Sequence, residues 1–257
     1  MALTAITRAV SPEINNCELG HLPREPIHVA KAVAQHQQYE QCLRELGVSV
    51  VSLPPEPGLP DCMFVEDPAI VLDEVAVITR MGAESRRREA DSLAPVLERF
   101  RPLRRLRAPA TLEGGDVLRV GKTLYVGLSE RTSADGIAQL GEEIRPFGYS
   151  VQAVEVHGCL HLKSAACALG DQIVLAHRPW IDTEAFDGLE IVDVPEQRAA
   201  NVLAIGNAVL VPACFPRTAR LIESLGWKVR PLDISELMKA EAGLTCSSLL
   251  FHAETPA

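Results

Sequence analysis

Long hydrophobic runs are missing from this 257-residue chain, and no uncharged apolar stretch approaches the roughly 18 residues that a membrane helix needs. Arg8 interrupts the opening MALTAITRAVSPE before the apolar core of a secretory leader can build, so the expected location is cytoplasmic. Aromatics are scarce, at 2 Trp, 3 Tyr and 6 Phe, and Lys plus Arg number 25 against 34 Asp plus Glu, a formal net charge of −9. That balance excludes the electrostatic footprint of a nucleic-acid binder and suits a cationic small substrate. CxxC pairs are also absent. The seven cysteines, at 17, 42, 62, 159, 167, 214 and 246, are odd in number, which argues against a secreted disulfide framework or a zinc ribbon and for reduced thiols. No Ser/Gly-rich stretch marks a linker; the Pro cluster LPPEPGLP at 53–60 reads as a rigid loop. What remains is an ordinary globular composition, 47% hydrophobic and 23% charged, long enough for one large domain or two modest ones.

Four stretches read as β-hairpins, each a pair of apolar runs split by a polar or glycine turn. They are Glu66 to Arg80, Gly115 to Ser129, Lys163 to His177 and Ala199 to Ala213, with turns at Asp73–Glu74, Gly121–Lys122, Gly170–Asp171 and Gly206–Asn207. Taking Asp67, Asp116, Ser164, Asn201 and Ser247 as equivalent points gives steps of 49, 48, 37 and 46 residues, hence five units. The fifth is split: TCSSLLF near the C-terminus pairs with LTAITRA near the N-terminus and closes a ring, which predicts that both ends are ordered. Helical patterns lie between the hairpins at Ile27 to Leu46, Ser85 to Phe100, Glu130 to Phe147 and Phe215 to Leu225. Further strands fall at Val48 to Leu53, Ser150 to Val156 and Trp227 to Leu232. The pattern predicts an α/β propeller of ββαβ repeats with pseudo-fivefold symmetry, residues 1–257 forming one domain.

In a ring of repeats, equivalent turns converge at one end of a central channel. The starts of the hairpins carry Asp61, Glu66 and Asp67 in LPDCMFVEDP, Glu113 and Asp116 in TLEGGD, His161 and Lys163 in CLHLKS, and Cys246 in GLTCSSL. Together they offer a nucleophile, a general acid/base, an orienting carboxylate and a cation pocket. Taken singly, each has a plainer role: a buried structural thiol for Cys246, a satisfied core histidine for His161, a turn residue for Glu113. His157, Cys159 and His161 alternate as zinc ligands on one strand face would, but no fourth ligand follows nearby. Arg86, in a run of three arginines, and Arg131 read as solvated or as forks on a substrate carboxylate.

The motifs LPDCMFVEDP, ITRMGAESRR, TLEGGDVL, GLSERT, CLHLKS and LTCSSLLF resemble, in order and across essentially the whole chain, dimethylarginine dimethylaminohydrolases of the guanidino-modifying pentein superfamily. The resemblance implies a five-bladed α/β propeller that hydrolyses Nω-methylated arginines to citrulline and a methylamine, with no metal or organic cofactor. It implies Cys246 as nucleophile, His161 as general acid/base and Glu113 as the carboxylate orienting it. It further implies Asp67 on the guanidinium with Glu66 beside it, Asp61 on the α-amino group, and Arg86 and Arg131 on the α-carboxylate. The segment NNCELGHLP corresponds to a lid, with Leu19 over the pocket. Arginine or agmatine deimination and amidinotransfer are the related alternatives, and the paired arginines argue against agmatine, which lacks a carboxylate. A cationic amino-acid binding protein is the alternative of another class, and it has no use for a nucleophile. The expected partner is a small guanidino amino acid, with no nucleic acid or membrane; a homodimer is left open.

Overall fold

The computed structural model describes residues 2–253; Met1 and residues 254–257, at the very ends that the closure model expects to be ordered, lie outside the described residues. Strand β1 (Ala2–Arg8) is followed by helix α1 (Val29–Glu45) and strand β2 (Ser49–Leu53). Next come β3 (Ala69–Val71), β4 (Ala76–Ile78), α2 (Glu89–Glu98) and β5 (Leu103–Arg105). The third stretch contains β6 (Val117–Val120), β7 (Thr123–Leu128), α3 (Ala134–Ile144) and β8 (Ser150–Glu155). A single turn, α4 (Leu162–Ala165), leads into β9 (Ala166–Leu169), β10 (Ile173–Ala176) and β11 (Glu190–Asp193). The last stretch is β12 (Leu203–Ile205), β13 (Ala208–Pro212), α5 (Pro216–Ser224), β14 (Lys228–Leu232) and β15 (Leu249–Ala253).

These strands make five three-stranded sheets, each an antiparallel pair plus a third strand parallel to the middle one. All four expected hairpins form. Three of their turns hold a glycine in the left-handed region, Gly121 at φ 58°, Gly170 at 69° and Gly206 at 58°, which tight hairpin loops require. The split unit also forms: β15 runs antiparallel to β1 with Ile6 opposite Leu249 and Ala2 opposite Ala253, and β2 lies parallel on the other side of β1. Helix α1 falls inside its expected span. His28 caps its start, Nδ1 accepting the Lys31 N–H at 3.2 Å, and Gly47 at φ 82° follows its end.

One unit departs from the expected ββαβ pattern. Between β10 and β11, residues 177–189 hold only two short 3₁₀ turns, Arg178–Trp180 and Glu184–Phe186, in place of a regular helix. The crossover carries Pro179 near its start and Gly188 near its end, both poor helix formers, and its two turns are not joined into one helix. Phe186 substitutes for its packing, stacked on Tyr125 with ring centroids 4.5 Å apart.

The core sits between sheets rather than inside any one of them. Along β7, Leu124 and Val126 pack toward β3 and β4 while Tyr125 packs toward β9 and β10. Along β13, Val209 and Val211 face the β9–β10 side while Leu210 faces the cluster containing α1. Both faces of each strand are thus buried, which is why these segments read as continuous apolar runs. The innermost strands β3, β6, β9, β12 and β15 together line a central cavity of about 290 Å³.

Candidate active site

The lead-in to each innermost strand bends sharply before the strand begins, and this places the chemistry-bearing side chains at one end of the axis. Glu66 and Asp67 precede β3, a 3₁₀ turn at Gly114–Asp116 precedes β6, His161 precedes α4 and β9, and a 3₁₀ turn at Thr245–Ser247 carries Cys246 into β15. One pocket is lined by Asp61, Glu66, Asp67, Arg86, Arg131, His161 and Cys246. Convergence of the hairpin starts, expected from the repeat, is what the structure has.

His161 Nε2 lies 2.8 Å from Glu113 Oε2, and its Nδ1 lies 3.9 Å from Asp67 Oδ1. Glu113 is fully buried behind the ring; its Oε1 accepts the Ala83 N–H at 3.0 Å and is 3.5 Å from Arg131 Nη1. Burial alone would lower the pKa of His161, but Asp67, Asp116 and Glu113 outweigh it and push it up to about 9. Glu113 moves the other way. Against burial, the hydrogen bond and charge of His161, with Arg86 and Arg131, hold its carboxyl well below the usual range.

Cys246 is half-buried, and its Sγ accepts the Gly243 N–H at 3.3 Å. Burial pushes the thiol strongly up, Glu66 and Asp67 add to this, and Gly243 N–H and Lys163 oppose it. The free thiol is therefore held protonated. Glu66 pairs with Lys163 and accepts the Thr245 hydroxyl at 2.8 Å, directly beneath the cysteine turn. Burial raises Glu66 while Lys163 opposes the rise. Glu66, Lys163 and Thr245 also line the central cavity, so the ion pair partitions the pocket from it.

Arg86 is less free than its sequence setting suggests. Its guanidinium is buried, donating to Asp67 Oδ2 at 2.9 Å and through two nitrogens to Glu89 at 2.9 and 2.8 Å. The signal for Glu89 was the helical i,i+3 spacing, obscured by the arginine run. Asp61 accepts the Glu18 N–H at 3.0 Å, and burial raises its pKa against the influence of Arg86. In the segment matched to a lid, Glu18 lines the pocket whereas Leu19 packs, partly buried, against the α1 core. The backbone N–H groups of Gly20, His21 and Leu22 all donate to the Glu241 carboxylate, the first two at 2.8 and 2.6 Å. Glu241 itself has φ 60°. Neither its partner residues nor its backbone strain leaves a sequence signal.

The zinc alternative is not assembled. His157 is exposed and Cys159 buried, its Sγ donating to the His161 carbonyl at 3.4 Å; burial pushes that thiol up to about 12. Among the described residues, Asp67, Glu113 and His161 form the one group of three ligand-type side chains within 4.8 Å of one another.

A family model described as N,N dimethylarginine dimethylhydrolase, eukaryotic, matches residues 21–214. The N(G),N(G)-dimethylarginine dimethylaminohydrolase of Pseudomonas aeruginosa is 38% identical over 86% of this chain and 89% of its own length. The protein of the same name from Streptomyces coelicolor is 38% identical over 95% of each chain. The solved Pseudomonas aeruginosa structure, a cysteine-to-serine mutant complexed with citrulline, superposes with TM-score 0.92 at 34% identity, covering 98% of this chain and all of that one. With two relatives above 30% identity spanning nearly its whole length, the chain belongs to the dimethylarginine dimethylaminohydrolase family.

Proposed function

We propose that this protein hydrolyses Nω-methylated arginine to citrulline and a methylamine, as a hydrolase acting on a C–N bond of a linear amidine. The observation that carries the proposal is the 2.8 Å Glu113–His161 pair, whose imidazole lines the same pocket as Cys246. In this proposal the substrate guanidinium sits against Asp67, with Glu66 beside it, and Asp61 receives the α-amino group. The α-carboxylate is gripped by Arg131 and by Arg86, which must turn from Asp67 to reach it. The lid segment covers the bound substrate, Glu18 from its place in the pocket lining and Leu19 by turning from its packing against the α1 core.

The incoming cation offsets the carboxylates that hold the Cys246 thiol protonated, and the thiol gives its proton to solvent. The sulfur then attacks the guanidinium carbon. His161, protonated at neutral pH by its carboxylate neighbours, donates its proton to the departing amine as the C–N bond breaks, leaving a covalent thiouronium. The now neutral ring takes a proton from water as its oxygen bonds to the same carbon, and collapse of that adduct expels the thiolate, which takes up the hydroxyl proton as citrulline is freed. The whole chain acts as one domain in this proposal, since every apolar cluster is shared between neighbouring sheets.

The test is to incubate the pure protein with asymmetric dimethylarginine, monomethylarginine, arginine and agmatine, following citrulline and released amine. Methylamine release from the methylated substrates, abolished in Cys246→Ser, is expected. Ammonia from arginine alone would make the enzyme a deiminase, and no turnover of any substrate would leave a binding protein.

A further inference from the structure

Asp116 marks the β6 unit in the repeat, yet neither the family resemblance nor the pocket gives it a task. It is completely buried, and its two oxygens take three hydrogen bonds. Oδ1 accepts the Leu162 N–H at 2.8 Å, while Oδ2 accepts the hydroxyls of Ser129 and Thr132, each at 2.7 Å. Each of those partners is in turn attached to a residue of the site. Leu162 directly follows His161. The Thr132 hydroxyl oxygen accepts the Glu113 N–H at 3.2 Å. The Ser129 hydroxyl oxygen accepts the N–H groups of Arg131 and Thr132, both at 3.1 Å.

The directions of these bonds are fixed. Both hydroxyl oxygens already accept from backbone N–H groups, so their protons point at Asp116, and Leu162 can only donate. Burial raises the Asp116 pKa, and the His161 charge and the three hydrogen bonds oppose that rise; three donors on two oxygens are what an ionised carboxylate satisfies and a protonated one does not. The space is made to measure: a Cβ on Gly127 would lie 2.6 Å from Asp116 Oδ1.

We infer that Asp116 is a positioning residue for the hydrolysis, one buried carboxylate that holds the backbones bearing His161, Glu113 and Arg131 in register with one another. The inference rests on the roles proposed above for those three residues. Asp116 also adds to the charges that keep the His161 ring protonated. The charged groups acting on that ring are Asp67 before β3 and Glu113 and Asp116 before β6; Arg86 before α2 and Arg131 after β7 act on Glu113, and Lys163 and Cys246 share the pocket lining with the ring.

The experiment compares the wild type with Asp116→Asn and Thr132→Val, reading two quantities: the His161 ring titration by NMR without substrate, and the pH profile of kcat and KM for asymmetric dimethylarginine. An amide at position 116 turns a donor toward a donor and removes the charge. In Asp116→Asn the His161 midpoint is expected to move down. Its kcat is expected to fall on the order of 10- to 100-fold, part of what positioned proton transfer contributes, with KM changed far less. Thr132→Val keeps the charge but cuts the link to Glu113, so kcat falls with a smaller movement of the midpoint; it also stands in should Asp116→Asn not fold by thermal melt. A folded Asp116→Asn with unmoved His161 titration and wild-type kcat, or Thr132→Val with wild-type kcat, overturns the inference. If the wild type turns over no methylated arginine, the proposed function fails separately, and the substrate-free titration still decides whether Asp116 acts on His161.

Discussion

His161 carries a conflict between burial, which disfavours its charge, and three carboxylates that impose it. The carboxylates prevail, and the consequence reaches stability as well as chemistry. Because the folded-state pKa of about 9 lies above the ordinary 6.5, protonation stabilises the fold fully below pH 6.5, and the contribution is lost as pH rises through 9. The melting temperature is therefore expected to fall across that window, and His161→Gln to flatten the fall; parallel curves for the two proteins would contradict it. At this scale the sequence displayed the residue types and hid their partners. Cys246, His161, Glu113 and Asp67 stand at hairpin starts, which the repeat alone brings together. The seating of Arg86 on Asp67 and Glu89, and the three bonds into Asp116, depend on side-chain reach and hydrogen-bond direction, which spacing does not encode.

Among the elements, the 3₁₀ turn before β6 is the most constrained. A Cβ on Gly115 would meet His161 Nδ1 at 2.5 Å and Asp67 Oδ1 at 2.8 Å, and one on Gly114 would meet the Glu66 carbonyl at 2.0 Å. The two glycines let three strand lead-ins approach within hydrogen-bonding reach. Gly115→Ala is expected to cost about 1 to 3 kcal/mol of stability through overpacking. Turnover should suffer more than that, since the added methyl presses on the imidazole itself; calorimetry beside kcat measures both, and wild-type turnover would show that the ring can yield. The hairpins were legible because a glycine or acidic turn between two apolar runs has few other solutions. The helix-free crossover at 177–189 was not legible in the repeat, since apolar spacing there does not distinguish 3₁₀ turns from a short helix.

For the whole molecule, five apolar clusters lie between successive sheets, so each sheet depends on two neighbours and none is an end unit. The closing sheet is the one made from both ends of the chain, with β1 in its middle and β15 leaving directly from the cysteine turn. Its pairing of Ala2 with Ala253 means that the order in which the strands are written is independent of the circle they make. A circular permutant that joins those ends by a short linker and opens at Gly170–Asp171, outside the pocket lining, should fold with the same substrate preference. Circular dichroism and the substrate panel check this, and loss of folding would mean that the ends guide assembly. Where the chain starts would then be a matter of the gene rather than of the architecture, a polygon cut at one of its corners.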